Sequence, residues 1–298
     1  MRYRRIVEGM CGSAAVTLSL LGGRNCRPPV TWMGGKVTYA EAVLACAGLA
    51  PGDGIAAVVL VDVGAWPAAW RSLSDPIRCR AVAAEIRSWT GTDREAWDAA
   101  KAAGPLDGED AARWLWVQAR NMLGKPNTGN AFAPDFSSNG KPVWNAISRP
   151  ALAARIDALA GVPWPSDFRA ITGDAAVVLP RLDLGAGDIV YLDPPYAKTT
   201  GYGKQDIGRD AVVALALHCA ETGADVMVSE AEALPGLVAS GWYSTEIAQG
   251  RLESARGRQG AMGIGTMACP RREFVTTSFL PRWQPASRNP LLAVAGLT

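Results

Sequence analysis

Seven short stretches of the chain read as strands. At 4–9, 55–61, 168–173, 187–193, 224–229, 242–248 and 272–279, runs rich in aliphatic and aromatic residues lie between Gly, Pro and Asp. Such short apolar runs fit strands of a parallel sheet buried on both faces. Helical patterning alternates with most of them, at 14–21, 40–47, 65–73, 151–160 and 210–221. The alternation predicts an α/β, doubly wound sheet. From Asp75 to Pro165 the strand signal stops. Helical patterning covers 77–89 and 109–122, and a stretch rich in Gly, Asn and Pro follows at 124–143. The expected organisation is a first part at 1–75, a helical insert at 76–165 and a second part at 166–298. A further long loop, 250–270, carries Arg251, Arg256 and Arg258 among glycines. Loops of this length are usually functional or disordered.

The fourth strand ends in Tyr191-Leu192-Asp193-Pro194-Pro195-Tyr196. An acid, two prolines and an aromatic ring at the carboxyl end of a buried strand can receive a planar amine. Asp193 accepts one N–H and the carbonyl of Pro194 a second. Proline fixes φ and brings no competing donor. Tyr196 offers a face on which a base can stack. The structural alternative is a strand ending in a proline turn, with the acid as a cap and the tyrosine as packing.

The first strand runs into a glycine-containing turn, Val7-Glu8-Gly9-Met10-Cys11-Gly12-Ser13, followed by a helix. This order places the turn at a ligand crevice, although the spacing is not that of the dinucleotide fingerprint. The second strand ends at Asp62. Alone, Asp62 reads as a helix cap; beside the turn and the D-P-P-Y strand it reads as a ribose-binding acid.

Together these residues resemble the Dam-like, alpha-class family of DNA adenine methyltransferases, in a weak pattern over most of the chain. Glu8, Gly9, Met10, Cys11 and Gly12 resemble its cofactor turn. Trp32-Met33-Gly34-Gly35-Lys36 resembles its W-x-G-G-K segment, which binds the methionine end of S-adenosylmethionine (SAM). Asp62 matches the ribose acid and Asp174, after Gly173, the acid near the cofactor adenine. Asp193, Pro194, Pro195 and Tyr196 match the catalytic motif, in which Asp193 also borders the cofactor. Gly124-Lys125, Gly129-Asn130 and Gly140-Lys141 resemble the loop after the target-recognition helices, and Arg272-Glu273-Phe274 the closing strand. The resemblance implies a Rossmann-like SAM-dependent methyltransferase fold with a seven-stranded mixed sheet and an inserted helical target-recognition subdomain. It implies transfer of a methyl group to the N6 amine of adenine in DNA, either duplex with the base flipped out or single-stranded. Two departures stand out. Gly9 and Met10 replace the family's Pro-Phe pair, and Ser13 and Ala14 replace its later glycines. The G-G-K segment, which normally precedes the first strand, here follows the first helix.

Composition narrows the alternatives. A net charge of +2 over 298 residues demands no nucleic-acid partner, so any basic surface must be local. Arg78, Arg80, Lys125, Lys141, Lys198, Lys204 and the arginines of 251–258 are the candidates for phosphate contact. The six cysteines form no C-x-x-C pair, which points to a reducing cytoplasm and to neither zinc nor a disulfide framework. Glu8 interrupts the apolar run after Arg2, Arg4 and Arg5, so no targeting segment is expected, and no membrane span either. The one histidine, His218, lies in an apolar helical run and reads as partly buried, which disfavours histidine chemistry. No Pro-Cys dipeptide supports attack on a ring carbon. Trp66, Trp70, Trp89, Trp97, Trp114 and Trp116 read as core, and Trp144 and Trp164 as loop residues within reach of nucleic acid. RNA or the cytosine amine remains an alternative substrate, and an inactive nucleic-acid-binding module an alternative role that the intact D-P-P-Y disfavours.

Overall fold

The computed structural model describes residues 2–32, 35–121, 132–135, 147–196, 207–248 and 272–282. Its strands are β1 (Arg5–Gly9), β2 (Ala57–Asp62), β3 (Asp167–Thr172), β4 (Asp188–Leu192), β5 (Asp225–Glu230), β6 (Tyr243–Ala248) and β7 (Glu273–Thr277). Each boundary falls within two residues of the sequence expectation. They form one seven-stranded sheet in the order β3-β2-β1-β4-β5-β7-β6. Neighbours among β1 to β5 pair parallel, and β7 is antiparallel to both β5 and β6. This mixed order is that of the Rossmann-like methyltransferase fold.

Strands β1 and β4 lie at the centre and are buried on both faces, which is why Arg5-Ile6-Val7 and Ile189-Val190-Tyr191 read as unbroken runs rather than alternations. Successive side chains divide between two layers. Ile6, Val58, Leu60, Ile189 and Tyr191 face one cluster, and Val7, Val59, Val61, Val190 and Leu192 the other. On the first face lie α1 (Ala15–Gly22), α2 (Ala40–Cys46) and α3 (Trp66–Leu73). Also there are α4 (Pro76–Ser88), α5 (Asp93–Ala102), α6 (Ala111–Ala119) and α7 (Arg149–Leu159), whose Ile86, Trp97, Trp116 and Leu152 belong to the same buried cluster. On the second face lie α8 (Ala175–Val178), α9 (Arg209–Glu221) and α10 (Pro235–Ala239). Strand β3 is an edge, so its residues are half-buried or exposed.

Between β2 and β3, helices α4 to α7 start on side-chain caps. Asp75 accepts from the N–H groups of Ile77 and Arg78, and Ser148 from that of Ala151. Thr92 and Glu95 form a capping box at the start of α5, a helix that the hydrophobic pattern did not single out. Beyond α6, the buried guanidinium of Arg120 reaches Asp135 at 2.8 Å and the carbonyl of Ile147 at 3.3 Å, holding these segments against the helix end. His218 is exposed in the last turn of α9, not partly buried: it falls on the solvent side, while Leu215, Ala216 and Cys219 face the sheet. Trp164 is no free loop ring either, for it packs between Trp70 and Phe168 at centroid distances of 5.7 and 4.9 Å.

The amino end of the sheet is tied by one buried carboxylate. Asp188 accepts from Arg5 Nε at 3.2 Å, Arg4 Nε at 3.1 Å and the Gly185 N–H at 3.0 Å, joining the starts of β1 and β4. Removing one partner of a buried pair leaves the other charge uncompensated. Asp188→Ala should cost about 3–5 kcal/mol in urea unfolding. A loss below about 1 kcal/mol, the range of exposed pairs, would show that this carboxylate does not hold the central strands.

Candidate active site at the strand ends

The sheet order reverses at β1, with β2 on one side and β4 on the other. Loops leaving the carboxyl ends of two such strands part in opposite directions and open a crevice, the usual ligand site of open α/β sheets. Gly9 pairs with Leu192 at the end of that junction, and the next N–H, of Asp193, donates to the Gly9 carbonyl at 3.3 Å. The glycine turn and the D-P-P-Y stretch therefore lie side by side.

The turn is tight and strained. Met10, Gly12 and Ala14 have φ of 57°, 43° and 49°. The left-handed region costs a non-glycine residue about 1–2 kcal/mol, so Met10 and Ala14 keep a glycine-like path at an energetic cost. Gly12 is favoured on steric grounds as well, because a Cβ there would stand 3.0 Å from Trp32 Nε1 and press on that ring. Three contacts from two elements, β2 and α3, hold the turn. The Cys11 N–H donates to Val61 O at 2.9 Å, the Gly12 N–H to Asp62 Oδ2 at 2.9 Å, and Trp70 Nε1 to Gly12 O at 3.3 Å. The second oxygen of Asp62 accepts from the Gly64 N–H at 2.8 Å. Burial raises the Asp62 carboxyl, and these two backbone donors pull it back. The Cys11 thiol is buried and raised well above its ordinary value, so this residue serves through its backbone.

Glu8 points under the turn. Its Oε2 accepts from the Thr17 hydroxyl at 2.5 Å and from the Thr17 N–H at 3.1 Å, in the first turn of α1. Burial pushes its carboxyl up to about 8.

The displaced segment returns to this place. Trp32 stands over Gly12, and a Cβ on Gly35 would lie 3.2 Å from Ser13 Oγ. Lys36 is 5% exposed, with its ammonium 2.6 Å from Asp193 Oδ1 and 4.5 Å from the centre of the Tyr196 ring. Glu273, the first residue of β7, lies 3.8 Å from the same ammonium and accepts the Tyr196 hydroxyl. Burial raises Asp193, against the pull of Lys36 and the Tyr196 hydroxyl. Burial also lifts Glu273 to about 7, with Lys36, Tyr196 and Ser229 opposing. Both Tyr191 and Tyr196 are raised, first by burial and then by Asp193. Asp193 and Glu273 thus face one ammonium, whose charge Glu8 also feels.

Other expected site residues stand apart. Asp174 is exposed and caps α8 through Ala176 at 2.9 Å; it meets the site only at the rim, where the Gly173 N–H donates to Asp62 O at 2.9 Å. Pro194 is buried and Pro195 half-buried in the turn after β4. Gly34, Lys125, Lys141, Trp144, Lys198, Lys204, Arg251, Arg256 and Arg258 lie outside the described residues. Arg78 and Arg80 are exposed on α4. Sequence reasoning missed Glu273. Its signal was topological: an antiparallel strand starts at the end where its parallel neighbours finish, so an acid at its first position falls among their carboxyl ends. A cavity of about 700 Å³ runs along α1 past Asn25, Arg27 and Arg155, sharing Ser13, Trp32 and Gly35 with the site but none of its charged groups. The site's ionisable groups converge at the strand ends, outside this cavity.

No protein-family model and no curated protein matches the chain. Among solved structures, the rRNA methyltransferase aviRa from Streptomyces viridochromogenes aligns over 92% of this chain and 76% of its own, at 16% identity and a TM-score of 0.36. That overlap is too loose to assign a family or a substrate. Among the described residues, no helix is long and apolar enough to cross a membrane.

The two raised carboxyls give a signed pH dependence. Glu8 at about 8 and Glu273 at about 7 keep protons that the unfolded chain releases near the ordinary 4.5. The folded state therefore binds more protons over this interval, and stability should fall as pH rises from about 4.5 toward about 8. Glu8→Gln should remove part of that slope while keeping an acceptor for Thr17. Urea midpoints across this range test it; an unchanged slope in the variant would show that Glu8 holds no proton.

Proposed function

We propose that this protein is a SAM-dependent methyltransferase acting on the N6 amine of adenine in DNA. The observation that carries the reading is the Lys36 ammonium, 2.6 Å from Asp193 and over the Tyr196 ring. It stands in for the amine of a target base: an N–H donor seated on the acid of D-P-P-Y beside an aromatic face. The residues also fit the cofactor. Even with Glu8 keeping its proton, Asp193 and Glu273 share one ammonium, and SAM brings net positive charge, a sulfonium and an ammonium against one carboxylate. The strained turn from Gly9 to Gly12 lets a ligand approach the backbone, and Asp62 keeps acceptor capacity for ribose hydroxyls beyond its two backbone bonds. We assign Asp174 to the adenine end of the cofactor, and Trp32, Gly35 and Lys36 to its methionine end.

When bound, SAM supplies an electrophilic methyl group on its sulfonium. Asp193 and the Pro194 carbonyl accept the two N–H groups of the target amine, turning its lone pair out of the ring and stabilising the positive charge that develops on nitrogen. Tyr196 holds the base plane, and Pro195 fixes the turn that carries the ring. The chain contributes mainly positioning. A base stacked in duplex DNA cannot reach the bottom of this crevice, so the target is flipped out or single-stranded. We assign sequence choice to the helical insert 76–165 and phosphate contact to the loop 250–272.

Calorimetry should detect SAM binding, and Asp62→Ala should weaken it by about 1.5–3 kcal/mol through lost charge-assisted hydrogen bonds. No binding by the wild type would remove the methyltransferase reading.

Asp193→Ala should abolish transfer of labelled methyl from SAM to unmethylated genomic DNA, with SAM affinity within a few-fold of wild type. Near-normal turnover in the variant would sink the role of Asp193. Transfer to total RNA but not to DNA would move the substrate assignment.

A further inference from the structure

Lys36 presents a difficulty for the amine site. Its ammonium sits on Asp193 Oδ1 at 2.6 Å, on the carboxylate that would receive a substrate amine. The side chain is 5% exposed, so an ammonium displaced from Asp193 without another partner would be a buried, uncompensated charge. One described carboxylate is within a small movement. Glu273 Oε1 lies 3.8 Å from Lys36 Nζ, beyond hydrogen-bond distance and within reach of a rotamer change. Glu273 is itself 5% exposed and rooted in β7, which is paired on both sides by β5 and β6. It also accepts the hydroxyl of Tyr196. A strand paired on both sides thus carries one carboxylate that holds the Tyr196 hydroxyl and lies 3.8 Å from the cation of the site.

Resting on the methyltransferase reading, we propose that Glu273 is a positioning residue of the transfer site: it fixes Tyr196 through its hydroxyl and provides the second seat to which the Lys36 ammonium moves when a substrate amine takes Asp193. With Lys36 on Asp193 the amine is excluded. With Lys36 on Glu273 the acid is open, and the cation still lies over the site with its charge balanced. No bond is made or broken in the movement; one ammonium changes hydrogen-bond partner.

Three variants separate the two parts of the role. Glu273→Gln keeps an acceptor for Tyr196 and loses the charge that attracts Lys36. Tyr196→Phe loses the hydroxyl alone, and Glu273→Ala loses both contacts. With labelled SAM and unmethylated genomic DNA, Glu273→Gln should raise the KM for DNA about tenfold or more, with kcat changed far less and SAM affinity within a few-fold. A substitution that merely loosened the fold would not produce that split. A KM within twofold of wild type would overturn the second seat. Urea unfolding of Tyr196→Phe, Glu273→Ala and the double variant tests the Tyr196 contact without any turnover. Losses in midpoint should fail to add if the two side chains are coupled; full additivity would overturn the fixing of Tyr196. A wild type that binds SAM and methylates neither DNA nor RNA would refute the nucleobase reading, and the second seat that depends on it. The unfolding cycle would then still decide whether Glu273 holds Tyr196.

Discussion

One ammonium in a crevice of acids governs the geometry of the strand ends. Glu8 in β1, Asp193 just past the end of β4 and Glu273 in β7 come together there, and as carboxylates they would repel one another without a cation nearby. Lys36 is that cation, and it arrives from a loop rather than from the sheet. The crevice compensates in two ways at once. Lys36 balances Asp193 directly, while Glu8, pushed up to about 8, sheds its charge by keeping its proton. Glu273 then shares the same ammonium, at 3.8 Å.

The turn beside it depends on tryptophan. Trp32 covers Gly12, and Trp70 donates to the Gly12 carbonyl. Trp66 stacks on Trp70 at 5.6 Å and meets Trp32 at 5.4 Å edge to face, so the rings form a continuous floor from α3 to the displaced segment. A backbone held in the left-handed region at Met10 and Ala14 persists only where its surroundings over-determine it. These rings, with Asp62, supply that constraint. The tryptophans that composition marks as core therefore have a second consequence: they keep a strained turn in place without the glycines usual at such positions.

The sheet was legible because its strands are short apolar runs between breakers, and burial on both faces leaves few other readings for Ile6-Val7 or Ile189-Val190. Helix α5 was not, because its amphipathic stripe is narrow; only Ala96, Trp97 and Ala100 are buried, and the clearer mark was the Thr92–Glu95 box. Glu8, Asp62, Lys36 and Asp193 could be picked from sequence because each follows or ends a recognisable element, and the structure brings all four to one crevice. Their partners could not. That Lys36 would rest on Asp193, or that Glu273 would meet Tyr196 from 77 positions away, depends on strand order, which local patterns do not contain. Trp164 and His218 failed for the opposite reason, since one residue's neighbours decide which side of an element faces solvent.

Strand order also explains why a segment displaced along the chain can reach the same site. Helix α1 runs from the carboxyl ends of the strands back toward their amino ends, about 12 Å at 1.5 Å per residue. The nine residues 23–31 can span up to about 30 Å when extended, enough to climb back. Trp32, Gly35 and Lys36 then lie at the turn and the acids beside it, and α2 descends so that β2 can start at the amino end. The Arg282 N–H, beyond the end of antiparallel β7, donates to Cys46 O at 3.0 Å, which places the end of α2 at the amino edge of the sheet. What the site requires is a segment that sits above the strands between an ascent and a descent. A helix before the first strand meets that requirement, and so does an added ascent and helix after it. The position of the G-G-K segment in sequence is therefore weak evidence against its place in the site, because the sheet constrains at which end a connection arrives and not how early in the chain it does so.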